Sequence, residues 1–108
     1  MQRFAIIVTI NLNPGYTDTF RKMILANATA SVGTEDQCHL FHVLEDTEET
    51  DTFHFYEIYT SPESLESHRE QSHFKTFFEG TTEMVAKRAV RRVNVINPGN
   101  FATSLGQA

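Results

Sequence analysis

Tryptophan is absent from this sequence, cysteine occurs once, proline three times and glycine five times in 108 residues. Each shortage excludes something. A single cysteine, Cys38, allows no disulfide framework within one chain and fits a reducing cytoplasm. Its apolar context, Cys38-His39-Leu40-Phe41, points to a small buried residue over a nucleophile. The apolar run Phe4 to Ile10 is too short to span a bilayer, lacks a small-residue cleavage site and continues into a turn. It reads as a strand, so neither a signal peptide nor a membrane segment is expected. Positive charge is scarce: nine Lys and Arg stand against 14 Asp and Glu, a net charge of −5 that argues against nucleic acid as a partner. Low-complexity tracts and internal repeats are also missing.

Nine phenylalanines and 40% hydrophobic residues make up for these shortages. They predict one globular domain over residues 1–97, with a tail at 98–108 that has little to fold around and can reach a partner subunit. Charge is uneven along the domain. Glu45, Asp46, Glu48, Glu49 and Asp51 form an acidic loop, while Lys87, Arg88, Arg91 and Arg92 hold four of the nine basic residues. The basic cluster reads as surface or intersubunit ion pairs, with an anionic substrate as the competing reading.

The most informative stretch runs from Phe53 to Phe74. Residues 53–59 are rich in Phe, Tyr and Ile and predict a strand whose residues 53, 55, 57 and 59 share one face. Glu57 thus sits among aromatics, where a carboxylate needs a partner or a raised pKa. Ser61-Pro62 marks a helix start, and Leu65 and His68 fall on one side of that helix. Ser72 caps a second helix whose first turn carries His73. By position, the helix dipole favours imidazolium at His68 and a neutral ring at His73, a pairing suited to acid and base roles. The plainer reading makes both histidines partly exposed polar residues at a helix junction.

The remaining elements follow from periodicity. Strand one covers residues 3–11, and Asn13-Pro14-Gly15 forms a turn. Helix one covers 16–31, with Phe20, Met23, Ile24 and Asn27 at helical spacing. Asn27 and Ser31 lie near that inner stripe and need partners, either a substrate or backbone groups of the helix itself. Strand two covers 38–45 and pairs with strand three, 52–60, through the acidic loop. A hairpin symmetric about residues 48 and 49 brings His42 opposite Phe55 and diagonal to Glu57 on one face. Helices at 62–69 and 73–87 follow, the second with Phe74, Phe77, Phe78, Met84 and Val85 inward and Gly80 weakening its middle. Strand four covers 88–96.

The order is βαββαβ, an α+β chain whose expected product is the ferredoxin-like antiparallel four-stranded sheet with helices on one face. Strands one and three are apolar or aromatic on both faces, so the second face needs a cover. A second copy of the same sheet supplies one, giving a two-fold homodimer. A metal is not expected: His39 and His42 point to opposite faces of a strand, and neither His-x3-His nor Cys-x2-Cys spacing occurs.

Phe55-Tyr56-Glu57-x-Tyr59, Ser61-Pro62-Glu63-Ser64-Leu65-x-x-His68 and Ser72-His73-Phe74, in this order and spacing, resemble the antibiotic biosynthesis monooxygenase (ABM) domain, the dimeric α+β barrel family. The resemblance spans residues 3–96 and takes in Asn11, the Asn27 and Ser31 spacing, and the Cys38-His39-Leu40-Phe41 strand after a Glu-containing loop. It implies a small dimer with a cavity between helices and sheet, working on a small molecule without a cofactor. Thr9-Ile10-Asn11, Asn27, Ser31 and the two histidines look most like the branch that isomerises phosphorylated autoinducer-2, next to quinol monooxygenases. The lack of tryptophan separates the chain from the heme-degrading branch. His42 departs from the isomerase branch, which commonly has an acidic residue there. The expected catalytic residues are His73, His68 and Glu57; the expected substrate contacts are Asn27, Ser31, His42 and Tyr56. Two chemistries suit this set: base-assisted oxygenation of a phenol, quinol or enol, and proton transfer alpha to the carbonyl of a small phosphorylated hydroxyketone, with the basic cluster or Asn27 and Ser31 holding the anionic end. A non-catalytic ligand-binding dimer is the third reading.

Overall fold

Alternating burial organises the first strand, β1 (Arg3–Leu12), in which Phe4, Ile6, Val8, Ile10 and Leu12 turn inward. The computed structural model describes residues 3–97. The expected tail contact lies outside them. After β1 come α1 (Thr17–Thr34), β2 (Cys38–Glu45), β3 (Thr52–Tyr59), α2 (Pro62–Arg69), α3 (Ser72–Thr81), a 3-10 turn (Thr82–Met84) and β4 (Val85–Val95). The strands form one antiparallel sheet in the order β2-β3-β1-β4, the ferredoxin-like arrangement. No described helix is long and apolar enough to cross a membrane.

Cross-strand pairing assigns the faces. Ile6 pairs with Glu57 and Val8 with Phe55 on one side, and with Arg92 and Val90 on the other. Directly opposed residues share a face, so these side chains point together toward the helices. Between sheet and helices, Phe20 of α1 is fully buried, with ring centroids 5.2 Å from Phe53 and 5.6 Å from Phe77. Such tilted pairs add roughly 0.5–1.5 kcal/mol each beyond the area they bury. Gly80 lets α3 approach α1 closely: a Cβ there would lie 2.6 Å from the Met23 methyl.

Three departures from the periodicity reading matter. Helix α1 continues to Thr34, its last turn tightened by the Ser31 and Thr34 hydroxyls donating to the carbonyls of Asn27 and Ala30 at 2.8 and 2.7 Å. Glu35 therefore becomes its C-cap residue. Helix α3 ends at Thr81, and β4 begins at Val85, where β1 is bulged at Asn11/Leu12. Met84 and Val85 thus pack as a turn and a strand end, because pairing with β1 satisfies more backbone than another helical turn would. Finally, the hairpin is offset by one residue: His42 pairs with Tyr56, and Phe41 with Glu57. Asp46 accepts the Glu48 and Glu49 amides at 2.8 Å, and Asp51 takes a left-handed conformation (φ 56°). That loop geometry shifts the pairing, and a slip of one residue exchanges the faces. His42 and Tyr56 consequently project from the sheet face opposite the helices.

The α2 start follows the sequence signal. The Ser61 hydroxyl accepts the Ser64 amide at 3.3 Å, with Pro62 in the first turn. Gln71, without a side-chain capping bond, takes the N-cap of α3 in place of Ser72. Ser61→Ala is expected to cost about 1 kcal/mol, lowering the melting midpoint by about 4 °C in a thermal denaturation scan.

Candidate functional site

A cavity of about 320 Å³ opens between the sheet and the second and third helices. Its walls are mostly apolar, with Ile6 and Val8 from β1, Phe41, Phe55, Leu65, Phe74 and Phe77 among them. Five polar side chains converge on it: Asn27 from α1, Glu57 from β3, His68 and Arg69 from the end of α2, and Arg88 from β4. An apolar cavity with a few convergent polar groups is the usual form of a small-molecule site.

His68 is buried, 2% exposed, with its ring against Tyr59 and Phe74 at centroid distances of 5.4 and 5.1 Å. Its Nδ1 lies 2.9 Å from the Glu35 carboxylate. His73 Nε2 contacts the same carboxylate from the other side. A carboxylate only accepts, so both imidazoles donate to it, and His68 is fixed as the tautomer that carries its proton on Nδ1. Its Nε2 has no hydrogen-bond partner among the described residues and remains available as an acceptor. Burial holds the His68 pKa below the usual imidazole range, outweighing the Glu35 carboxylate, which acts upward. His68 is thus neutral despite its place at a helix C-terminus: the dipole is worth about 0.3–1 kcal/mol at an exposed end, and desolvation of a buried ring exceeds it.

Glu57 is 3% exposed, and burial pushes its pKa up to about 7 against the Tyr59 hydroxyl, which donates to Oε1 at 2.6 Å, and the charge of Arg69, both acting downward. The cavity therefore holds a neutral imidazole and a carboxyl group poised near neutrality. Asn27 lines the same cavity with its buried Oδ1 lacking any partner, an orphaned acceptor that a ligand donor would satisfy. Cys38 is buried, and burial holds its thiol protonated, with a pKa of about 11. That matches a packing residue.

The other sequence candidates lie elsewhere. His73 lines a neighbouring cavity of about 240 Å³ with Met23 and Asn27, and reaches His68 through Glu35. Ser31 is fully buried and its hydroxyl is spent on the Asn27 carbonyl, the internal alternative for that residue. Neither His42 nor Tyr56 lines the main cavity; His42 borders a separate cavity of about 330 Å³ at the β2 edge with Leu25 and Val32 of α1. Of the basic cluster, only Arg88 faces the cavity, and none of Lys87, Arg88, Arg91 and Arg92 forms an ion pair among the described residues. Sequence reasoning missed Glu35 and Arg69. Glu35 precedes His68 by 33 positions, and its one trace was the Glu-containing loop before β2. Glu35, His68 and His73 also bring one carboxylate and two imidazole donors within 4.8 Å of one another, a possible ligand set for a metal that sequence spacing did not reveal.

Solved structures share this architecture. A candidate antibiotic biosynthesis monooxygenase from Nitrosomonas europaea superposes with a TM-score of 0.85 at 21% identity, covering 89% of this chain and 92% of that one. A candidate antibiotic biosynthesis monooxygenase from Bacteroides thetaiotaomicron gives 0.84 at 21% identity, covering 90% and 92%. A protein of Mycobacterium tuberculosis gives 0.80 at 20% identity, covering 90% and 98%. At these identities the likeness establishes the fold. No curated protein matches the sequence. The family itself is established by the sequence pattern, which matches over residues 3–80: this chain belongs to the antibiotic biosynthesis monooxygenase family.

Proposed function

We propose that the chain is a cofactor-independent monooxygenase-type enzyme that abstracts a proton from a small phenol, quinol or enolisable substrate held in the main cavity. The observation that carries this reading is the Glu35–His68 couple at the cavity wall. Glu35 orients the ring and stabilises the imidazolium that forms, and His68 Nε2 takes the proton. Asn27 Oδ1 accepts a substrate hydroxyl. The resulting anion reacts with molecular oxygen; one oxygen atom enters the substrate and the other leaves as water, with the electrons drawn from the substrate's own C–H and O–H bonds. The apolar walls exclude bulk water. His73 acts as a positioning residue through Glu35.

The protein works as a homodimer in the cytoplasm, two copies packing the sheet faces that leave Ile7 and Leu44 exposed at 43% and 50%. An oxygen electrode tests the chemistry. Chelator-treated protein with a panel of hydroquinones and polycyclic phenols should consume oxygen above a Glu35→Gln control. Absence of uptake across the panel removes the oxygenase reading. Glu57 favours a second reading: a carboxyl group with a pKa of about 7 in the same cavity as a neutral imidazole can return a proton to an enolate, the requirement of an isomerase acting on a small phosphorylated hydroxyketone. Isomerisation followed by NMR is then the assay.

A further inference from the structure

We infer that the rim of the main cavity is an anion subsite formed by Arg69 and Arg88, and that the substrate joins an apolar or aromatic body to a phosphate or carboxylate group. This rests on the reading above only in taking the main cavity as the substrate site. Arg69 comes from the last turn of α2 and Arg88 from β4, so two elements distant in sequence bring two guanidiniums to one cavity. Neither has a hydrogen bond or an ion pair to any described side chain. The chain carries 14 Asp and Glu residues, every one between positions 18 and 83 and so within the described residues. In a protein of net charge −5, two guanidiniums on one cavity without a carboxylate partner among the described residues leave a local positive charge uncompensated. Arg21 shows the alternative: its guanidinium engages both Asp18 and Glu45.

Arg88 is held in place by an aromatic face, its guanidinium carbon 4.8 Å from the Phe78 ring centroid. Partial burial and the charge of Arg69 both act against its protonation, so an anion between the two groups relieves a repulsion that the unliganded protein sustains. Planar guanidinium forks match the oxygens of phosphate and carboxylate groups. Glu57 feels the charge of Arg69 without forming an ion pair with it. It lies among the aromatic walls, and the rim is left to the arginines. The substrate's apolar part fits against Phe41, Phe55, Phe74 and Phe77, with its reactive end toward His68.

Isothermal titration calorimetry with phenyl phosphate, benzoate and phenol tests the subsite without requiring turnover. The wild-type chain should bind phenyl phosphate or benzoate at least roughly tenfold more tightly than phenol, the ratio that one charge-assisted hydrogen bond supplies. Tighter phenyl phosphate identifies the group as phosphate, and tighter benzoate identifies it as carboxylate. Arg88→Gln and Arg69→Gln should each bring the ratio toward one while leaving phenol binding in place; both residues are exposed, so the variants test the subsite without disturbing the core. Equal affinities in the wild type, binding of none of the three probes, or a preference that survives both substitutions overturns the proposal. A preserved anion preference together with no oxygen uptake would remove the oxygenase chemistry alone.

Discussion

Replacing His68 by alanine is expected to lower turnover by at least about a hundredfold, within the range that a positioned general base contributes. The expectation follows from three coincident features. His68 lines the cavity, its Nδ1 is held by Glu35 at 2.9 Å, and burial keeps the ring neutral. A neutral ring with a fixed tautomer accepts a proton at Nε2 without first losing one to solvent. Glu35→Gln should give a smaller loss, because an amide retains hydrogen-bonding capacity but does not stabilise imidazolium. His73→Ala should act on kcat through the orientation of Glu35 and leave KM nearly unchanged, since His73 does not line the main cavity. Steady-state kinetics with the substrate found by the oxygen-uptake panel checks all three. A His73→Ala loss as large as that of His68→Ala, with an intact fold, would transfer the base to His73. The pH profile adds a second check. The base works above the His68 pKa, which lies below the usual imidazole range. Activity of the proposed oxygenase should therefore hold to lower pH than an exposed histidine allows. Activity that depends on protonated Glu57 should fall above about pH 7.

Glu57→Gln is expected to stabilise the fold at alkaline pH while damaging any step that uses the carboxyl proton. The folded-state pKa is raised, from 4.5 to about 7, chiefly by burial. A raised carboxyl pKa means that the native state binds the proton more tightly than the unfolded chain. The favourable contribution is complete below about pH 4.5, declines as pH rises toward about 7, and is absent above it, where the buried charge costs on the order of 3 kcal/mol. Glutamine keeps an acceptor for the Tyr59 hydroxyl, now donating to Glu57 Oε1 at 2.6 Å, and carries no charge at any pH. Urea denaturation at about pH 5 and about pH 8 should show the variant gaining on the wild type at the higher pH. Equal differences at both would mean that Glu57 is ordinary in its titration. A retained destabilising carboxylate is the pattern of a group kept for chemistry, which links stability to the proposed site.

Within this fold, local signals carried the elements and long-range pairing carried the site. The hydroxyl and proline at Ser61-Pro62 announced α2 because capping is decided within four residues. Glu57 announced itself as an acidic residue on an aromatic strand face, and the buried carboxyl found there has the expected character. His42 illustrates the opposite case. Its face depended on a loop whose course is set by Asp46 caps and by the backbone of Asp51, neither of which alternation reports, and one residue of offset moved it away from the cavity. Helix and strand competed likewise at residues 82–87, where an inner stripe of helical spacing lost to pairing with β1.

The amino-acid sequence by itself determined the βαββαβ order, the sheet with its helices on one face, the family, and the candidacy of Glu57, His68 and Asn27 as polar groups on inward faces. Periodicity and capping act over a few residues, so they can be read from the chain directly. Only the tertiary structure decided which side chains meet. It joined Glu35 to His68 and His73, brought Arg69 and Arg88 to one cavity, left Asn27 Oδ1 without a partner, and spent Ser31 on its own helix. These outcomes depend on strand register and on where helices end, and both are settled by packing between elements far apart in the sequence.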